Sequence, residues 1–179
     1  MSYCKFINSL KPDEQNVHRE YHDKHYGFPI HDDNELFCRL ILEINQAGLS
    51  WTTILNKQLG FRKAYHNFEI KKVAGYKEKD FTRLMNDAGI IRNRLKINAA
   101  IENAKTILQL QKEFKSFENW LDHHYPKTRE EWTKLFKQTF NNKKYLNDQQ
   151  RVMVPKERQQ IRSNPHRRTA LSMASLNHH

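Results

Sequence analysis

One carboxylate stands out in the sequence because a helix would turn it toward the core. Glu43 follows Leu36 by seven residues and Leu40 by three, so a helix places all three side chains on one face. An ionised carboxylate on an apolar face is costly unless it meets a cation or a hydrogen-bond donor. Glu43 could therefore cap a neighbouring loop, pair with an arginine at the edge of the core, or recognise a ligand.

The residues after Glu43 combine a turn with two large apolar side chains. Gly48 precedes Leu49, and Trp51 comes two residues later. Enzymes that act on a base outside the duplex need a wedge for the vacated stack, an aromatic platform and a polar group that reads the base edge. Glu43, Leu49 and Trp51 are of these three types. Taken singly, the leucine and the tryptophan would be ordinary core residues.

Composition favours a compact protein with a polyanionic partner. The chain has 179 residues, of which 37% are hydrophobic, and this length can bury a core without cross-links. Its 31 Lys and Arg against 20 Asp and Glu give a net charge of +11, which favours nucleic acid. No apolar run approaches the roughly 20 residues of a membrane helix. Since the N-terminus also lacks the pattern of a secretory signal, we expect a cytoplasmic protein.

Helical spacing recurs along the chain and predicts an all-α fold. Asp32 and Glu35 form a variant of the capping box ahead of a helix from about Asp33 to Gln46. Thr128 and Glu131 repeat the capping-box pattern before the last predicted helix. Sustained alternation of the kind that marks strands is not found.

A helix, a short hairpin and a second helix are predicted in the middle of the chain. The amphipathic stretch from Phe81 to Ala88 is predicted to stop at Gly89, a residue suited to closing helices. Beyond it, the apolar residues that fall on one helical face are Ile97, Ile101, Ala104 and Leu108.

The composition changes after Phe140. Residues 141–179 hold eight of the 31 basic side chains but two of the 20 acidic ones, with two prolines and no apolar stripe. We therefore predict one helical domain over residues 1–140 and a basic, disordered tail over residues 141–179.

Three blocks resemble DNA-3-methyladenine glycosylase I, a family of the helix-hairpin-helix superfamily. They read YHDKHYGFP, LEINQAGLSWTTIL and NDAGIIRNRLKINAAIENA, and the resemblance covers about residues 4–140. It implies the all-α helix-hairpin-helix glycosylase fold and a monomeric, monofunctional hydrolase. Such an enzyme releases 3-methyladenine from alkylated double-stranded DNA by using water, without a lysine Schiff base and without cutting the strand.

The resemblance also implies roles for the residues of a base pocket. Glu43 is the expected catalytic residue, and it hydrogen-bonds the methylated adenine together with Tyr21. Trp51 stacks on the base. Phe6 and Tyr26 stand where many family members have tryptophan, so both positions keep an aromatic face.

Two further segments match the parts of the family that bind DNA. Leu49 corresponds to the residue that plugs the gap in the duplex, and the hairpin offers a helix N-terminus with basic side chains for phosphates. The residues predicted to contact DNA are Gly48, Leu49, Gly89, Arg92, Arg94 and Lys96.

The family's structural zinc site matches this chain in part. Cys4 and His22 correspond to the N-terminal pair of ligands, whereas the His and Cys pair expected near the C-terminus is not found. Zinc favours four such ligands. His166, His178 and His179 are the candidate substitutes, and the alternative is a tail of unrelated sequence, for example after a shift of reading frame. A lost C-terminal helix predicts weaker zinc binding and a lower melting temperature than in a full-length relative.

Two other functions are compatible with the same residues. A catalytically impaired helix-hairpin-helix module would bind DNA without excising a base. A helical scaffold could bind acidic proteins through its basic surface, but it would have no need for a glutamate, a tyrosine and a tryptophan that match a base pocket.

Overall fold

The computed structural model describes residues 3–10, 16–26 and 28–140 of the chain. Within these ranges every regular element is a helix and no strand occurs, which confirms the predicted all-α fold. No helix in this part of the chain is long and apolar enough to cross a membrane. The predicted tail, residues 141–179, lies outside the described residues. The chain divides at Pro29 and Ile30 into two compact units, a division that the sequence did not indicate.

The first unit contains two short helices, α1 (Tyr3–Ser9) and α2 (Val17–Lys24). Asn16 caps α2, since its side chain accepts a hydrogen bond from the backbone N–H of His18 at 2.8 Å. The hydroxyl of Tyr3 hydrogen-bonds Nδ1 of His18 at 3.0 Å and the His18 carbonyl at 3.2 Å. These bonds join the start of α1 to the start of α2.

The second unit contains the remaining helices, and α3 has the predicted bounds. Asp32 caps α3, because its Oδ1 accepts from the Glu35 N–H at 2.9 Å. The Glu35 carboxylate binds Arg62 through two hydrogen bonds of 2.6 and 2.7 Å. The elements of this unit are α3 (Asp33–Gln46), α4 (Trp51–Asn56), α5 (Gln58–Ala64), a 3₁₀ turn (His66–Phe68), α6 (Ile70–Ala74), α7 (Glu78–Met85), α8 (Arg94–Phe114), α9 (Phe117–His123) and α10 (Arg129–Thr139).

The core of this unit forms around α3 and the 21-residue helix α8. Ile97, Ile101 and Ala104 of α8 are buried as their spacing predicts, whereas Leu108 is half-buried. Most of α3 is buried as well, and its Cys38 thiol is 2% exposed. Burial raises the pKa of that thiol to about 12, so Cys38 behaves as a core residue rather than as a nucleophile or a metal ligand.

The predicted helix stop at Gly89 is wrong. α7 ends earlier, at Met85, where the N–H of Asn86 bonds the carbonyls of Thr82 and Arg83 at 3.2 Å. Gly89 does not adopt a left-handed conformation. It lies instead against Gly60 of α5, where an added Cβ would come within 2.3 Å of the Gly89 carbonyl oxygen.

The capping box predicted at the start of α10 is confirmed. The Glu131 N–H donates to Oγ1 of Thr128 at 3.2 Å, and the Thr128 N–H donates to the Glu131 carboxylate at 2.7 Å. Trp132 and Phe140 anchor this helix, since each is 1% exposed. The final described helix is therefore a packed element and not a fraying end.

Candidate base pocket and DNA-binding hairpin

The predicted catalytic carboxylate stands in the last turn of α3. Leu36 and Leu40 are buried, at 8% and 3% exposure, which confirms that their face of α3 points into the core. Glu43 is half-buried on the same face. The carboxylate therefore lies where the core face of α3 reaches the surface.

The turn after α3 depends on a glycine. Gly48 has φ of +79°, which only glycine adopts at no steric cost, and an added Cβ would meet nothing within 4 Å. Conformation rather than space thus selects glycine there. The N–H of Leu49 closes the turn by bonding the Gln46 carbonyl at 2.7 Å, and the Leu49 side chain stays 38% exposed. An exposed leucine on a tight turn has the form that a wedge requires.

Trp51 opens the next helix directly after this turn. Ser50 caps α4, since its Oγ accepts from the Thr53 N–H at 3.1 Å, and Trp51 is the first helical residue and half-buried. Ile54 and Leu55 are buried and pack α4 against the core. One helix, turn and helix therefore positions the predicted carboxylate, wedge and aromatic platform.

The predicted aromatic residues of the first unit form one cluster. Tyr26 lies 6.2 Å from Tyr21 between ring centroids, and Tyr3 is 4.9 Å from Tyr26, 6.3 Å from Tyr21 and 6.2 Å from Phe6. Tyr3 was missed by the sequence analysis, although its spacing of three from Phe6 puts both on one face of α1. Burial raises the pKa of the Tyr3 hydroxyl well above its usual value, so it stays a neutral donor.

The structure brings the predicted N-terminal zinc ligands together. Nε2 of His22 lies 3.4 Å from Sγ of Cys4, close to the separation of about 3.6 Å between sulfur and nitrogen ligands on tetrahedral zinc. Nδ1 of His22 bonds Asp23 at 2.8 Å, and such a bond leaves Nε2 free to bind a metal. No group of three His, Cys, Asp or Glu side chains suited to a metal occurs among the described residues. Cys4 and His22 are therefore the two predicted zinc ligands that lie together among the described residues.

The hairpin between α7 and α8 presents two exposed arginines. Arg92 and Arg94 are both exposed, and the Arg94 guanidinium also lies 4.9 Å from the centre of the Phe81 ring. The amides at the start of α8 are less available than predicted. Oδ1 of Asn93 accepts from the N–H groups of Leu95 and Lys96 at 3.0 and 3.1 Å, so this cap already uses two of them.

Lys96 has a different place from the one its sequence suggested. It is 5% exposed, and its ammonium donates to the carbonyls of Asn45 at 2.8 Å and Ala47 at 2.7 Å. A phosphate contact would require it to leave both partners. A signal was present in the sequence, because Lys96 precedes Ala100 by four residues and Asn103 by seven, which are also buried on α8.

The start of α5 supports the hairpin through contacts that the sequence analysis missed. Nζ of Lys57 donates to the Ala88 carbonyl at 2.8 Å, next to the close approach of Gly60 and Gly89. Gly60 within a body predicted to be all-helical was the available signal, because an isolated glycine in helical sequence often has a packing reason.

Comparison with known proteins identifies the family of this chain. The sequence model of the methyladenine glycosylase family matches residues 11–158, which extends beyond Phe140, where the sequence analysis placed the end of the resemblance. The chain is 46% identical over 97 residues to DNA-3-methyladenine glycosylase 1 of Escherichia coli (strain K12) and 40% identical over 108 residues to DNA-3-methyladenine glycosylase of Haemophilus influenzae. These alignments cover 54% and 60% of this chain but 52% and 58% of the relatives, so the chain spans little more than half their length.

Solved structures extend the likeness to the fold. The 3-methyladenine DNA glycosylase I of Staphylococcus aureus, whose structure describes recognition of 3-methyladenine, is 28% identical, with a TM-score of 0.71. That superposition covers 88% of this chain and 89% of the other. It confirms the predicted glycosylase fold. By sequence and by fold, this chain belongs to the methyladenine glycosylase family.

Proposed function

We propose that this protein is a monofunctional DNA-3-methyladenine glycosylase, which hydrolyses the bond between 3-methyladenine and deoxyribose in alkylated double-stranded DNA. One observation carries the proposal: a single helix, turn and helix holds Glu43, the exposed Leu49 and Trp51 within nine residues. Family membership and the net charge of +11 support the same conclusion.

The proposed chemistry places few demands on the protein because the substrate is already activated. Methylation at N3 makes the base a cation, so the glycosidic electron pair neutralises the base as it leaves. Water adds to C1′ and loses a proton, and the products are an abasic site and free 3-methyladenine. An ionised Glu43 would accept a hydrogen bond from the adenine edge and stabilise its positive charge. Unmodified adenine is neutral and would leave far more slowly.

The family resemblance assigns four aromatic side chains to the proposed pocket. Trp51 stacks on the extruded base, and Tyr21 donates a hydrogen bond to it. Phe6 and Tyr26 contribute further aromatic surface in place of the family's tryptophans. The clustering of Phe6, Tyr21 and Tyr26 around Tyr3 supports a shared function for these rings.

Release of 3-methyladenine from methylated DNA tests the proposal. Wild-type protein should release the base, and Glu43→Gln should lower the single-turnover rate by about a hundredfold or more because the charge is lost. Glu102→Gln is the matched control, since Glu102 is an exposed glutamate on α8 that pairs with Lys105. Absence of release by the wild type, or equal rates in both variants, would contradict the proposed activity.

A DNA-binding module without turnover is the second candidate. The exposed Arg92 and Arg94 favour it independently of the pocket, since they can bind phosphates whether or not a base is excised. Salt-sensitive affinity for DNA without any release of base would support this function over the enzyme.

We also propose a structural zinc ion held in part by Cys4 and His22. Bound zinc would join the polypeptide segments that supply its ligands and would take no part in hydrolysis. We expect weaker retention than in a relative with four ligands. Dialysis against a mild chelator followed by elemental analysis should leave clearly less than one zinc per chain. Stoichiometric zinc after that treatment would contradict the expectation.

We further propose that the protein is a cytoplasmic monomer. A base pocket formed within one chain does not need a second copy. Sedimentation analysis of the purified protein, at concentrations up to those of the excision assay, tests the monomeric state, and a stable dimer would overturn it.

A further inference from the structure

Lys96 connects the helix of the hairpin to the end of the helix that carries Glu43. It is the third residue of α8, yet its ammonium reaches the carbonyls of Asn45 and Ala47 at the end of α3. The carbonyl between them, that of Gln46, accepts from the Leu49 N–H. Three successive carbonyls at this helix end thus have hydrogen-bond partners, and two of them share one lysine.

The environment suits a charged amine despite its burial. Burial lowers the pKa of the Lys96 ammonium, because it removes water from the cation. The last carbonyls of a helix carry the negative end of its dipole, so a cation there is stabilised. Both hydrogen bonds are short, at 2.8 and 2.7 Å, and charge-assisted. Loss of the amine would therefore leave two carbonyls at this helix end without that donor.

The two ends of this connection hold different parts of the proposed machinery. On α3, Glu43 stands two residues before Asn45, and Gly48 follows Ala47 directly. On α8, the exposed Arg94 stands two residues before Lys96. A shift of α8 on binding a phosphate would therefore be transmitted through Lys96 to the turn that bears Leu49.

We propose that Lys96 is a positioning residue, which holds the Gly48–Leu49 turn in register with the hairpin so that DNA binding and base extrusion are coupled. This inference rests on the proposed glycosylase function. Lys96 itself touches neither phosphate nor base in the proposed reaction. Its removal should affect the extrusion and excision steps much more than the affinity for undamaged duplex.

A matched variant separates positioning from simple stabilisation. Arg62 makes two hydrogen bonds, of 2.6 and 2.7 Å, to Glu35 in the first turn of α3. Arg62→Met therefore removes a cation bound to the same helix, but at the end away from the turn. Lys96→Met removes the cation at the end next to it, and Lys96→Arg keeps both charge and donors.

The experiment measures three properties of these variants: single-turnover release of 3-methyladenine, affinity for undamaged duplex, and fluorescence of 2-aminopurine in the duplex as a report of extrusion. Lys96→Met should lose about tenfold or more in release and in extrusion while its duplex affinity changes by less than about threefold. Lys96→Arg should retain most of the release and extrusion that Lys96→Met loses. Arg62→Met should release and extrude the base as the wild type does. If Lys96→Met does not fold, Lys96→Gln, with a shorter donor, should show the same split.

Several outcomes overturn the inference. Normal release by Lys96→Met, an equal loss in Arg62→Met, or a loss of duplex affinity equal to the loss of release would each do so. If the wild type releases no base, the proposed glycosylase function is wrong, but the inference about Lys96 is still tested. The fluorescence of 2-aminopurine then shows whether Lys96 is needed for extrusion. Extrusion by the wild type that Lys96→Met lacks would then support coupling, and no extrusion by either protein would refute it.

Discussion

Leu49 is an apolar side chain that the fold leaves at the surface for a local reason. The left-handed Gly48 reverses the chain, and the hydrogen bond from the Leu49 N–H to Gln46 keeps the reversal tight. The side chain therefore projects from a stiff turn instead of a flexible loop. Glu43 before it and Trp51 after it belong to helices, so all three are held by backbone hydrogen bonds.

A wedge should be needed for excision but not for folding. Leu49→Ala should lower the release of 3-methyladenine by about tenfold, equivalent to about 1.4 kcal/mol in the barrier, because the vacated stack is no longer filled. Its melting temperature should barely change, since the side chain is 38% exposed. Leu59→Ala is the control, because Leu59 is 82% exposed and lies outside the proposed pocket. Equal effects of both substitutions on release would show that Leu49 has no special role.

At the scale of elements, the hairpin is held from outside by α5. Gly60 and Gly89 let two backbones approach more closely than side chains would permit, and Lys57 bonds the Ala88 carbonyl beside them. One partner of each contact, Gly60 or Lys57, lies outside the hairpin. The orientation of Arg92 and Arg94 therefore depends on a helix about 30 residues earlier in the chain.

Adding one methyl group at this contact should disturb the hairpin. In Gly60→Ala the new Cβ would lie 2.3 Å from a backbone oxygen, so α5 or the hairpin must move, at a cost of about 1–3 kcal/mol. Chemical denaturation should show the loss, together with weaker DNA binding. Gly75→Ala is the matched control, because its Cβ would have ordinary contacts of 3.5 Å. A Gly60→Ala protein as stable as Gly75→Ala would contradict this packing.

The capping box of α10 predicts a pH dependence of stability. A hydrogen bond to the Thr128 backbone lowers the pKa of Glu131 below its ordinary value of 4.5. A carboxylate whose pKa is lower in the folded state adds stability above about pH 4.5 and loses it as the pH falls through the folded pKa. Glu131→Gln should thus melt below the wild type at pH 6, and the gap should narrow as the pH falls below about 4.5. Glu130→Gln, its exposed neighbour outside the box, should show no such gap. A gap for Glu131→Gln that does not narrow as the pH falls below about 4.5 would refute the assignment.

At the scale of the whole molecule, charge and packing have separate contributions to function. In the proposed function, the excess of 31 basic over 20 acidic residues would attract DNA at long range, but it would not place a base in a pocket. The proposed placement of the base would depend on α3, α8 and the turn between α3 and α4, which are joined through buried contacts. Affinity and excision should therefore respond to different substitutions.

The salt dependence of DNA binding should identify the phosphate contacts. Replacing Arg92 and Arg94 by alanine should weaken binding and reduce the slope of log affinity against log salt by about one unit per arginine. Lys112→Ala is the control, since Lys112 is an exposed cation in the last turn of α8, the helix that begins at Arg94. The measurement is a titration of duplex at several salt concentrations. An unchanged slope in the double arginine variant would exclude the hairpin as the phosphate site.

Interactions close in the chain were predictable from the sequence. The bounds of α3, both N-terminal caps and the reversal at Gly48 follow from residues one to four apart, whose contacts a helical period or a turn residue determines. The roles proposed for the pocket residues come from the family resemblance, since spacing alone left them open. The Gly89 prediction failed because a local stop signal was read where a packing contact exists.

The tertiary structure alone decided which polar groups meet across long separations. Lys96 reads as one more cation in a basic hairpin, and its partners Asn45 and Ala47 lie about 50 residues away. A local pattern cannot encode such a pair, because the pair forms only when α8 packs against α3 and excludes water from the amine. The sequence thus predicted the parts of the proposed pocket and hairpin. Burial of one lysine decided that the start of α8 and the end of α3 are joined by hydrogen bonds.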